Sequence, residues 1–382
     1  MSSLRGTSAI VGVGTYGLGE VPGLSEYEIM TGAIENALGE AGLKAKDVDA
    51  VFCTSMQQNM GSLTLAEYLG IQPRFSDSSV IGGSSNLAHV LTAMMAIETG
   101  VCETALIAYA SNQRSTSGRL VSSSRPDPYE APYNPRQPIT SYALSASRHM
   151  HEYGTTREQL AEVAVAARAW AAKNPEAFMR EPLTIDQVLS ARPISDPFTV
   201  RDCCLVTDGG GALVVTSAAR AKDMPKPAAY VLGAAMAHWH RYIANMPDLT
   251  VTAASESGRR AYEMAGVKPS DFDVVEVYDA FTINTVMFLE DLGFCPKGEG
   301  GRFVSDGAIA PGGKLPVNTN GGGLSCCHPG MYGMFPVIEA VRQLRGETGD
   351  RQIDGAKLGL AHGNGGVFSS QVSLVLGTEA TL

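Results

Sequence analysis

AGLKAKDVDAVFCTS at residues 41–55 and AGVKPSDFDVVEVYD at residues 265–279 follow one plan. Each opens on Ala-Gly, where a helix ends, then passes a lysine and an Asp-x-Asp turn before running into an apolar strand. Six of the first eleven aligned positions match, in the pattern A-G-x-K-x-x-D-x-D-x-V. Where the first strand ends at Thr54, the second ends at Tyr278. Agreement in the order of elements, added to the matched residues, marks a duplicated unit.

The parallel continues downstream. SSVIGGSSNLAHV (78–90) is answered by PVNTNGGGLSCCHPG (316–330), each a strand running into glycines and then a helix, NLAHVLTAMMAIETG against MYGMFPVIEAVRQLRG. Upstream, TSAIVGVG is a short β-rich run, and the Ser25–Glu28 spacing predicts a capped helix to about Gly39. GVCETALIAYAS (100–111) reads as a further strand. Strands alternating with helices give an α/β class with a mainly parallel or mixed sheet. The chain divides as residues 1–224 and 225–382, with residues 115–200 as an inserted loop domain over one sheet face. That insertion begins polar and proline-rich (STSGRLVSSSRPDPYEAPYNPRQP), and the Thr155–Glu158 spacing predicts a helix whose apolar face is Leu160, Val163, Ala164, Ala167 and Ala171.

With 382 residues and 44% hydrophobic content, the chain can bury a large core. Its net charge of -10, with no basic run, argues against a nucleic-acid partner. No secretory signal and no apolar stretch of membrane-spanning length is read, so a cytoplasmic protein is expected. Seven scattered cysteines without CxxC spacing read as reduced thiols, neither disulfide framework nor metal site. In each adjacent pair, 203–204 and 326–327, one cysteine is expected to face the core.

Several motifs compete for chemistry. Gly12, Gly14 and Gly17 imitate a dinucleotide fingerprint, but no helix starts within them, so a glycine-rich strand end is the better reading. Gly82 and Gly83 directly precede a helix, whose free N–H groups and positive end suit an oxyanion or phosphate. Ser84 and Ser85 follow, as nucleophile candidates or, more commonly, helix caps. His328 is restricted to extended backbone by Pro329 and stands in a glycine-rich turn. It is either a general base or oxyanion donor, or a loop histidine capping a helix. His362, Asn364 and Gly365 lie in AHGNGGVFSS, where glycine permits close backbone approach to a ligand. Tyr278 ends the duplicated strand and points either into the same place or into the core.

Together these pieces resemble the thiolase superfamily, in its branch of sterol-carrier-protein-type thiolases. YGTTREQLAEVAVAARAWAAKNPEAF, PLTIDQVLSARPISDP and DCCLVTDGGGALVVTSAARA carry the likeness, as does CHPGMYG, where Cys327 replaces the glycine of the family's Gly-His-Pro motif. The resemblance covers nearly the whole chain and implies a duplicated, five-layered αβαβα thiolase fold. It also implies where this chain departs. Gly83 stands at the family's nucleophilic cysteine, His362 at its second cysteine, and Tyr278 at its oxyanion-hole Asn or His; His328 alone is unchanged. Without a thiol at Gly83, retro-aldol cleavage of a β-hydroxyacyl-CoA through an enolate is the implied chemistry, with His328, Tyr278 and His362 as its catalytic candidates. Gly83, Ser84, Cys327, Asn364 and Gly365 would line the substrate site, Cys326 being packing. Acyl transfer from a relocated nucleophile and a non-catalytic subunit are the alternatives. Coenzyme A enters as part of the acyl-CoA thioester, with no further cofactor and no metal. A homodimer and a small zinc-ribbon/OB-fold accessory subunit are the expected partners.

Overall fold

The computed structural model describes residues 4–117 and 128–382. Part of the polar, proline-rich start of the insertion therefore lies outside the described residues. A nine-stranded sheet runs through both halves: β1 (Ser8–Gly19), β2 (Ala50–Thr54), β3 (Phe75–Asp77), β4 (Thr104–Ser111), then, after the small β5 (Pro193–Ser195) and β6 (Phe198–Thr199) pair, β7 (Asp208–Ser217), β8 (Ala229–His238), β9 (Val274–Val277), β10 (Leu358–Gly365) and β11 (Ser370–Gly377). Their order is β3-β2-β4-β7-β1-β8-β11-β10-β9.

The order is a repeat. β1 pairs antiparallel with β7, and β8 pairs likewise with β11. β4 joins β7 antiparallel and β2 parallel, as β10 joins β11 and β9. β3 lies parallel outside β2, and Val317 makes the corresponding parallel bridge to Val275. Among the described residues, the strands of the two half-sheets pair where Ala9 and Ile10 of β1 meet Tyr230 and Ala229 of β8. We infer the division at 224/225 from this repeat, since the change of half falls between β7 and β8.

Helices complete five layers. Ser85–Glu98 and Met334–Arg345 each touch strands of both half-sheets and form the central layer. Glu26–Ala41 packs on β1, β7 and β4, and Ala254–Ala265 on β8 and β11, as the two outer layers. The expected αβαβα architecture is thus present. The Ser25–Glu28 capping box forms as read, whereas the second box forms one residue later than read, between Thr156 and Gln159. Thr155 instead bonds His149 Nδ1 at 2.8 Å, so its hydroxyl is already engaged. The helix it precedes, Arg157–Ala172, packs on the Gly322–Cys326 turn and on the helix Thr282–Asp291. A second insertion helix, Ile139–Tyr153, has no counterpart in the sequence reading. No helix among the described residues is long and apolar enough to cross a membrane.

One contact explains why the outer helices sit alike in both halves. A Cβ on Gly12 would lie 2.1 Å from the Ala37 carbonyl oxygen and 3.2 Å from the Ala41 methyl. A Cβ on Gly233 would lie 2.1 Å from the Ala261 carbonyl oxygen and 3.1 Å from the Ala265 methyl. Ala-Gly at residues 41–42 and 265–266 then ends each helix, the glycines at φ 66° and 72°. The methyl groups would strike backbone, which cannot rotate away. Gly12→Ala and Gly233→Ala should each destabilise the fold by about 2 kcal/mol, within the range for overpacking. Denaturant midpoints with an unchanged m-value would check this.

Candidate functional site

The site forms where β9 and β10 end beside the N-terminus of the central helix Ser85–Glu98. Gly82, at φ 83°, turns the chain into that helix. A Cβ on Gly82 would lie 2.5 Å from the Gly366 nitrogen, and one on Gly365 would lie 1.9 Å from the Ile81 carbonyl oxygen. Only glycines let these two turns touch.

Gly83 faces Tyr278. A Cβ there would fall 2.2 Å from Tyr278 Cε2 and 2.5 Å from its Oη, so the phenol fills the volume a side chain at position 83 would need. Tyr278 Oη lies 3.1 Å from His328 Nε2 and accepts the Tyr332 N–H at 3.1 Å. Burial pushes the phenol well above its ordinary range and pushes His328 down to about 4. Both groups are therefore neutral near pH 7. His328 Nδ1 is buried with no partner among the described residues.

The turn carrying His328 is braced from several elements. Its N–H donates to Thr207 Oγ1 at 3.0 Å, and its carbonyl accepts Gln113 Nε2 at 2.9 Å. The Tyr109 hydroxyl donates to the Pro329 carbonyl and accepts the Met331 N–H at 3.1 Å. Asp279, next to Tyr278, accepts the Gly323 N–H at 2.6 Å, and burial pushes its carboxyl up to about 7. Such bracing holds an imidazole in one orientation, as proton transfer requires.

A cavity of about 520 Å³ opens over these groups, lined by Gly83, Tyr278, His328 and Asn364 among others. Of the candidates read from sequence, those four share it. Ser84 does not line it; its hydroxyl bonds Ser370 Oγ at 2.7 Å in the interior. Gly365 serves the contact between turns. Cys327, expected in the lining, is fully buried outside it, as is Cys326 but for 2% of its surface. The alternation expected of adjacent cysteines fails because extended geometry does not hold across 326–327: Cys326 closes a helical turn and only Cys327 is extended. Cys203 and Cys204 depart the other way, both lining the cavity. Burial raises Cys203 to about 12 and Cys204 further, so both are thiols.

His362 is not brought into the cluster. Its Nδ1 lies 2.9 Å from Ser373 Oγ and its Nε2 2.9 Å from Gln371 Oε1, with Phe288 edge-on at 4.7 Å. Both ring nitrogens are spoken for, and burial holds the ring down at about 4. The sequence reading also missed Tyr142, His240 and Arg241, which line the cavity. The HWHR run at 238–241 was a visible signal; Tyr142, in an insertion helix, offered none. Among the described residues, no three His, Cys, Asp or Glu side chains converge as a metal site.

Comparisons with known proteins agree with this architecture. Residues 235–378 match the family described as thiolase C-terminal domain-like. The chain is 35% identical to the 17-hydroxy-3-oxo-4-pregnene-20-carboxyl-CoA lyase of Mycobacterium tuberculosis, over 98% of this chain and 100% of that protein. It is 34% identical to an acetyl-CoA acetyltransferase of Methanothermobacter thermautotrophicus, over 94% of this chain and 96% of that one. The solved Ltp2-ChsH2(DUF35) aldolase superposes with a TM-score of 0.90 at 34% identity, covering 100% of both chains.

The Gly83–Tyr278 contact has a measurable signature. Gly83→Ala should destabilise the fold by about 2 kcal/mol, and Tyr278→Ala should relieve that cost in the double variant. A coupling of at least about 1 kcal/mol in the unfolding cycle is expected, and additivity would refute the contact.

Proposed function

The chain belongs to the thiolase superfamily, in its sterol-carrier-protein-type branch, and from that premise we propose that it cleaves a carbon–carbon bond of a β-hydroxyacyl-CoA by a retro-aldol reaction. The observation that carries this is the Tyr278 phenol occupying the space beside Gly83 and bonding His328. It supplants a nucleophile with a proton-handling group. The lyase and aldolase names of the relatives support the same class of chemistry.

The steps follow from the neutral pair. With the imidazole proton on the buried Nδ1, the Tyr278 hydroxyl donates to His328 Nε2, and phenol and ring act as one proton relay. The Tyr278 oxygen takes the β-hydroxyl proton as its own passes to His328 Nε2, the C–O bond becomes C=O, and the Cα–Cβ electrons pass to the thioester as an enolate. The positive end of the helix Ser85–Glu98 stabilises the enolate oxygen. The imidazolium then returns its proton, through the Tyr278 hydroxyl, to Cα, giving a shorter acyl-CoA and a carbonyl product. Coenzyme A serves as part of the substrate, and no step calls for a second cofactor.

Acyl transfer from a relocated thiol is the second reading, favoured by the acetyltransferase relative. It has Cys203 and Cys204 as cavity-lining candidates, both held as thiols by burial. A homodimer and a small zinc-ribbon/OB-fold accessory subunit belong to the proposal too, the latter supported by the paired name of the aldolase structure.

Mass spectrometry of the intact protein with β-hydroxyacyl-CoA and β-ketoacyl-CoA thioesters, reading products in parallel, separates the two. Cleavage to a carbonyl compound and a shorter thioester without a mass adduct is expected. An acyl adduct on Cys203 or Cys204 would replace this reading with acyl transfer. His328→Ala should lower kcat by about 10²–10⁴-fold. Because the His328 ring must be neutral to accept the proton and its folded pKa is about 4, activity should hold to near pH 5 and fall as pH drops through about 4, rather than near the ordinary histidine value of about 6.5.

A further inference from the structure

The proton positions in one buried chain of hydrogen bonds can be solved from a single carbonyl. Gly366 O can only accept, so the Tyr142 hydroxyl donates to it at 2.8 Å. Tyr142 Oη must then accept from Asn364 Nδ2, also at 2.8 Å, which fixes which end of the Asn364 carboxamide is nitrogen. Asn364 Oδ1 in turn accepts Gln371 Nε2 at 2.8 Å. That leaves Gln371 Oε1 to accept from His362 Nε2–H at 2.9 Å. His362 Nδ1 is then a lone pair receiving the Ser373 hydroxyl at 2.9 Å. Every bond points one way, and His362 completes it as a neutral ring.

The consequence lies at the cavity end. Asn364 lines the cavity, and its amide nitrogen carries two hydrogens, of which Tyr142 takes one. Asn364 stands on β10, two residues past His362, which pairs with Val277 at the end of β9 beside Tyr278. Tyr278 and Asn364 thus stand at the ends of adjacent strands and line one cavity.

We propose that Asn364 Nδ2–H binds the β-oxygen of the substrate, and that Gln371 and His362 are positioning residues that hold the amide nitrogen toward it. This rests on the retro-aldol reading and assigns the oxygen that becomes the product carbonyl. A donor there stabilises the charge that builds on that oxygen as its proton leaves for the Tyr278–His328 relay, and it distinguishes β-hydroxyacyl from saturated acyl thioesters.

Calorimetric binding in a His328→Ala background, where turnover is slow, tests the assignment with a β-hydroxyacyl-CoA and the saturated acyl-CoA of the same carbon skeleton. With Asn364 present the hydroxylated ligand should bind about tenfold more tightly, the usual worth of one hydrogen bond. Asn364→Ala should abolish the preference while leaving the saturated ligand's Kd within about twofold. Gln371→Glu keeps the volume and still accepts from His362 but has no N–H to give, so Asn364 should turn over and donate to it. That variant should lose the preference too, and the His362 pKa measured by NMR should rise. It also decides the matter if Asn364→Ala fails to fold. A preference that survives either variant in folded protein, or an equal loss for both ligands, overturns the assignment alone. Failure of the parent to bind either thioester overturns the underlying retro-aldol reading with it.

Discussion

A missing Cβ at three positions governs this molecule. At Gly12 and Gly233 it lets an outer helix rest its carbonyl against the strand below, in the same way in each half. At Gly83 it lets a tyrosine from the second half reach across to the central helix of the first. The first two contacts set the layers. The third decides the chemistry those layers hold, because two groups cannot share one volume. A thiol side chain at position 83 and the Tyr278 phenol are alternatives.

Burial then sets what the phenol and imidazole can do. A cysteine nucleophile needs surroundings that favour a thiolate, yet the cavity thiols here are pushed the other way. Tyr278 and Asp279 are shifted toward their protonated forms and His328 toward its unprotonated one, all by loss of solvent. Such a set gains nothing from a covalent route that begins with an anion. It suits a reaction that moves a proton from oxygen to carbon and passes charge briefly through an enolate. Neutral partners also avoid the cost of a fixed, unpaired buried charge.

How much of this was legible depends on the range of the interaction. The duplication, the glycine turn at Gly82–Gly83 and the proline-restricted His328 are local patterns, and the structure brings Tyr278, His328, Gly83 and Asn364 to one cavity. The contact between Gly83 and Tyr278 spans nearly two hundred residues of sequence, and no local pattern encodes it. His362 misled for the same reason: beside glycines at a strand end it looks catalytic, but Ser373 and Gln371 on the neighbouring strand enclose it. Tyr142 was unreadable because its partners, Asn364 and Gly366, lie in the other half. The one-residue shift of the Thr156 cap shows the limit of spacing rules where two threonines stand side by side.

The position of the site follows from the repeat itself. The central helices begin at Ser85 and Met334, at corresponding places in the two halves, and a Cβ on Gly333 would fall 2.0 Å from the Gly83 carbonyl oxygen. Two helix N-termini therefore meet across the pseudo-dyad, and both bring positive ends to one spot. Symmetry supplies the field for a developing oxyanion without specifying a reaction. What breaks the symmetry is the side-chain set: Tyr278 against Thr54 at the ends of the repeated strands, and a histidine carried only by the second glycine turn. Thr54 spends its hydroxyl on Asn86 Oδ1 at 2.9 Å, inside the first half. Tyr278 is long enough to leave its own half, and that reach turns a duplicated scaffold into a single site.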